Sequence, residues 1–143
     1  LYGVFSEFDS FVGEGEFVRG VSWVSSGLFV DQYHRYVVEE DKMSELILTS
    51  EVLDSLVEQH TKKWREILET GSMELFESDV YPFGFTLVEH GVAWGYFEPE
   101  KGAHEYELIT ESDAVQNWAS EVFEEFKQRG RKVTDEELEK TRK

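Results

Sequence analysis

Two places in the sequence put hydroxyls where a strand pattern gives way to a helix pattern: Ser25-Ser26 and Thr49-Ser50. In an open α/β sheet, ligands bind at the carboxyl ends of the strands, where helix N-termini offer free N–H groups. The two junctions therefore suit a small polar or anionic ligand, although the surrounding acids disfavour a highly charged one. Tyr81, Phe83 and Trp94 would supply an apolar wall, on the strength of a hairpin pattern and the Pro82 turn. N-capping alone is the simpler explanation of both junctions. The same hydroxyls would serve a small hydrolase or transferase only if a base converged on Ser26 or Ser50.

Other chemistry finds little support. The sequence has no cysteine, which excludes disulfides, thiolate nucleophiles and Cys-ligated zinc. Its histidines, His34, His60, His90 and His104, form no pair at metal-ligand spacing, so neither a metal nor a cofactor is expected. His60 falls on an apolar helical stripe and reads as a packed core residue; His90 reads as a turn residue and His104 as a loop residue. His60-Thr61-Lys62 begins the H-x-K-x4-D pattern of phospholipase D enzymes, but position 67 is Ile and the segment lies mid-helix. Gly13 and Gly15 are flanked by Glu14 and Glu16, which would repel phosphate. Carboxylate pairs such as Glu124-Glu125 read as solvated faces, and no residue is nominated as catalytic. Trp23, Trp64, Trp94 and Trp118 fall one per element, as core packing or as an aromatic ligand wall or dimer face.

The charge balance points away from polyanions. Fourteen Lys and Arg stand against 31 Asp and Glu, a net charge of −17. Residues 127–143 carry +3, leaving −20 on residues 1–126. Such a body repels nucleic acid and anionic membranes, and fits a high-salt cytoplasm in which screening removes self-repulsion. The basic cluster fits a helix C-terminus followed by a solvated tail. No apolar run is long enough to span a membrane, and no secretory signal opens the sequence, so a cytoplasmic location is expected. Residue 1 is Leu, which suggests a fragment or a processed product.

The elements that must position these residues alternate. Val4, Phe5, Phe8, Phe11 and Val12 lie at helical spacing, so residues 1–12 read as the end of a helix, with Tyr2, Phe5 and Phe8 to bury, ideally in a symmetric homodimer. Phe17–Ser25 reads as a strand with a bulge at Gly20, and Ser26 opens a helix along Phe29, Tyr33, Tyr36 and Val37. Glu45–Thr49 is a strand; Ser50 caps one long helix running through Leu53, Leu56, Val57, His60, Trp64, Ile67 and Leu68 to a stop at Gly71. Met73–Glu77 is a strand, and 83–88 with 92–97 form a hairpin turned by His90-Gly91, with Gly91 at positive φ. Tyr106–Thr110 is the last strand. Ser112 caps a helix whose stripe is Val115, Trp118, Ala119, Val122 and Phe126; Gly130 ends it, and a short polar helix follows from Thr134. The order α-β-α-β-α-β-β-β-β-α predicts an α/β domain: a single mixed β-sheet with helices on both faces. The expected division is 1–12 end of a helix, 13–130 α/β domain and 131–143 polar tail.

Four stretches carry a family resemblance: Glu45–Leu53 (ELILTSEVL), Tyr81–Val88 (YPFGFTLV), Val92–Tyr96 (VAWGY) and Glu111–Ala119 (ESDAVQNWA). In them the chain resembles the effector domain of archaeal, especially haloarchaeal, winged-helix transcriptional regulators. It is similar to methanogenesis regulators and, distantly, to the phospholipase-D-like domain of TrmB-type sugar-sensing regulators. The resemblance implies that 1–12 is the end of a connecting helix and 13–130 an effector domain for ligand sensing and dimerisation, which binds an unknown small molecule and reaches DNA only through a winged helix outside this chain. It carries no ligand residues across.

Overall fold

The computed structural model describes residues 11–13, 15–23, 27–80, 84–98 and 103–134. Ser25, Ser26, Tyr81 and Phe83 lie outside these residues, as do Tyr2, Phe5 and Phe8. The described strands form one seven-stranded sheet in the order β6-β5-β4-β1-β2-β3-β7. β1 (Phe17–Ser22), β2 (Met43–Leu48) and β3 (Met73–Glu77) run parallel, Gly20 opposite Leu46 and Leu46 opposite Leu75. β4 (Phe85–Val88), β5 (Gly91–Glu98) and β6 (Ala103–Thr110) continue from β1 as an antiparallel meander. The expected mixed sheet with helices on both faces is the observed architecture.

Alternation along the strands splits the core in two. Val18, Leu46, Leu48 and Leu75 meet α1 (Gly27–His34), its π-helical continuation Arg35–Glu39, α2 (Ser50–Gln59) and α3 (Thr61–Glu69). Val21, Ile47, Phe76, Phe85, Leu87 and Val92 face the other way, onto Ala119 and Phe123 of α4 (Asp113–Arg129). Helix α4 follows its sequence logic. Ser112 Oγ accepts from Val115 N at 3.4 Å, and Lys127 and Arg129 sit at the negative end of the dipole. Its buried centre is Ala119 and Phe123, however, while Trp118 stands at the rim, 45% exposed.

Several expectations need correction. The single helix expected over 50–70 is two: the backbone leaves helical geometry at His60 (φ −131°, ψ 38°), which is half-buried at the break rather than in the core. Thr61, the first residue of α3, donates its hydroxyl to Val57 O. The cap of α2 is Thr49, extended at φ −73° and ψ 161°, whose hydroxyl accepts from Val52 N at 3.3 Å; Ser50 is already inside the helix. The hairpin turn is Glu89-His90, because Val88 pairs with Gly91. Gly91 serves close approach instead of positive φ: a Cβ there would lie 2.3 Å from Thr110 O. Gly20 makes no bulge but leaves room for the Tyr33 hydroxyl, which would sit 2.1 Å from any Cβ. Gly71 does stop α3, at φ +72°. Beyond Gly130, Arg131–Lys132 form β7, antiparallel to β3, and Val133 is buried. A polar stretch can add this strand because Arg131 and Lys132 meet Glu77 and Glu74 at 3.3 and 3.8 Å.

Candidate functional site

The carboxyl ends of the three parallel strands open into a groove of about 500 Å³. Trp23 follows β1; Thr49, Ser50 and Glu51 start α2; Glu77, Ser78 and Asp79 end β3. Ser78 N donates to Leu48 O at 3.0 Å, which fixes the β3 exit beside the α2 N-terminus. Of the residues that the sequence singles out for a site, Thr49 and Ser50 line this groove. The Thr49 hydroxyl is engaged as a cap, whereas Ser50 is exposed.

The lining sets the chemistry. Glu51, Glu77 and Asp79 bring three carboxylates, and the described lining brings no cation. Arg131 reaches Glu77 from β7. An anion would meet net repulsion; a neutral or cationic polar molecule would find carboxylate and hydroxyl acceptors and the Trp23 ring. Trp94 is not part of this lining. It stacks between Phe85, with ring centroids 5.1 Å apart, and Trp118, 5.5 Å apart.

A smaller pocket of about 260 Å³ opens at the amino ends of the same strands, lined by Arg19, Met43, Ser44, Glu45, Ser72 and Glu74, among others. Its charges are mutually occupied. Arg19 meets Glu45 at 3.0 Å, and Lys127 of α4 donates to the same carboxylate. That hydrogen bond holds the Lys127 ammonium above its ordinary range, against the opposing effect of burial and with help from the charges of Glu45, Glu124 and Glu74.

The histidines are scattered. His34 pairs with Glu66 at 3.1 Å, and His90 packs edge-on against Phe11. Among the described residues no group of three or more His, Cys, Asp or Glu residues could hold a metal. His60 and Lys62 of the truncated H-x-K pattern occupy the α2–α3 break and the first turn of α3, and neither lines the strand-end groove.

Residues 1–129 match the family described as the methanogenesis regulatory protein FilR1, middle domain. The chain belongs to that family. No curated protein matches it. Among solved structures, this FilR1-type middle domain is similar to TrmBL2, described as an archaeal chromatin protein with a novel mode of DNA binding. The TM-score is 0.69 at 15% identity, over 92% of this chain and 50% of that one. The domain thus spans about half the length of the TrmBL2 chain. It is also similar to Nuc, a phospholipase D family member from Salmonella typhimurium, with a TM-score of 0.65 at 10% identity, over 92% of this chain and 91% of that one. Both likenesses are likenesses of fold.

Proposed function

We propose that this chain is the ligand-sensing and dimerisation domain of a cytoplasmic, haloarchaeal transcriptional regulator whose DNA-binding winged helix lies outside it. The match of residues 1–129 to a regulatory protein's middle domain carries this reading. The groove at Trp23, Thr49, Ser50, Glu51 and Asp79 is the proposed sensing site, and its carboxylates favour a neutral or cationic small molecule. Ser25 and Ser26 are assigned to the same proposed site by their place in the sequence after β1, and Tyr81 and Phe83 to its apolar wall; Trp94, which packs against Phe85 and Trp118, is assigned to the core instead. Binding would favour one dimer geometry and so change the spacing of the attached DNA-reading elements. No helix among the described residues is long and apolar enough to cross a membrane.

Thermal-shift screening with neutral, cationic and anionic small molecules tests the site. A hit should weaken on Ser50→Ala and Asp79→Asn; a hit indifferent to both puts the site elsewhere. Light scattering in molar KCl should return twice 16.7 kDa, and a clean monomer at high concentration removes the dimerisation role. Fluorescence anisotropy with labelled duplex should show no specific binding by this chain at physiological salt.

The likeness to the phospholipase D family member supports a second reading, a small hydrolase or transferase at the strand ends. Turnover of a phosphodiester or ester substrate, lost on Ser50→Ala, would favour it over sensing.

A further inference from the structure

The β4–β5 turn grips the chain just before it enters β1. One oxygen of the Glu89 carboxylate accepts from Glu16 N at 2.7 Å, and the other accepts from Phe17 N at 3.2 Å. Gly15 permits this approach, since a Cβ there would lie 2.7 Å from Glu89 Oε1. From the other side comes Lys42, whose residue is 7% exposed. Its ammonium donates to Gly15 O and, at 3.4 Å, to Gly13 O, with Glu40 at 3.6 Å. Residues 11–13 are helical, so this cation sits where a helix end presents its carbonyls. Phe11 closes the joint, its ring centroid 4.7 Å from that of His90.

The turn is also tied to α4. Gln116 Nε2 donates to Val88 O at 3.0 Å and to Glu89 O. The β4–β5 turn thus holds the entry to β1 through the Glu89 side chain and the first turn of α4 through the carbonyls of Val88 and Glu89. We propose that Glu89 and Gln116 form a mechanical joint through which displacements of α4 reach the backbone at residues 15–17, and so whatever the chain carries ahead of them. The use of this joint in signalling rests on the regulator reading; the joint itself does not.

Amide hydrogen exchange on this chain, read by NMR, tests it. Glu89→Gln should speed exchange at the Glu16 and Phe17 amides roughly tenfold, while Leu46 and Ile47 in β2 keep their rates. Gly15→Ala, which crowds the carboxylate, should reproduce the effect. Gln116→Ala should speed the same two amides several-fold although its side chain touches neither, and the double variant with Glu89→Gln should add nothing further. Unchanged Glu16 and Phe17 rates in both Glu89→Gln and Gly15→Ala would overturn the carboxylate grip. A silent or additive Gln116→Ala would overturn the link to α4. A failed ligand screen leaves these rates as they are, so the two readings fail separately.

Discussion

The two ends of the parallel strands use charge in opposite ways. At the amino end, Glu45 joins Arg19 and Lys127, Glu89 takes two backbone N–H groups, and Lys42 covers two carbonyls. At the carboxyl end, Glu51 and Asp79 form no ion pair among the described residues and face an open groove. Charges already paired stabilise the fold but offer little to an incoming molecule; unpaired ones at a rim do the reverse. The contrast gives the amino end a structural duty, and the proposed recognition role of the carboxyl end rests on it.

The strongest way to break this contrast is Glu45→Ala. Its carboxylate is 18% exposed and serves two cations, which the variant would leave facing each other across a partly buried gap. The expected loss is about 2 kcal/mol of unfolding free energy, measured by denaturant titration. Thr49→Ala should cost about 1 kcal/mol because it removes the α2 cap, whereas Ser50→Ala should stay within about 0.5 kcal/mol. Equal costs at the two positions would return the cap to Ser50.

The smallest effect sharpens the amino-end side. Burial pushes the Glu89 carboxyl up, but hydrogen bonds from the backbone N–H groups of Glu16, Phe17 and Glu89 itself, with the charge of His90, outweigh it and hold the group below the usual carboxylate range. A lowered folded pKa means that the stabilisation is full above the ordinary carboxylate value and disappears as pH falls through the folded one. The melting-temperature gap between the wild type and Glu89→Gln should therefore be constant from about pH 6 to 8 and close below about pH 4. A gap that closes near pH 6 instead would assign the effect to a histidine.

Much of the fold was legible because it rests on local signals. Hydrophobic period, the Ser112 cap and Gly71 each act within a few residues, and they gave the element order and the mixed sheet. Errors of one residue, such as Ser50 for Thr49 or His90-Gly91 for Glu89-His90, arose where neighbouring residues could both fill a role and strand register decided between them. The break at His60 left no such signal, since apolar spacing continues across it to Trp64 and Ile67. Of the seven described residues that line the groove, Thr49 and Ser50 were legible as hydroxyls at a strand end; Glu77, Ser78 and Asp79 were not, because they come to it from β3, far along the chain. The Glu89 and Lys42 contacts span 72–73 and 27–29 residues and pair side chains with backbone, which no sequence pattern records.

Strand β7 has a consequence for how the molecule behaves in a crowded solution. A sheet edge is a template on which another chain can polymerise. Among the described residues, that template beside β3 is paired by two strand residues, both cationic and exposed, after which Val133 donates its N–H to Leu75 O at 2.8 Å and is buried. A second molecule arriving there would find too short a run of backbone to grip, and two like charges of its own kind in the way. On this flank the two cations of β7, just beyond the end of the last helix, work against fibrillar growth.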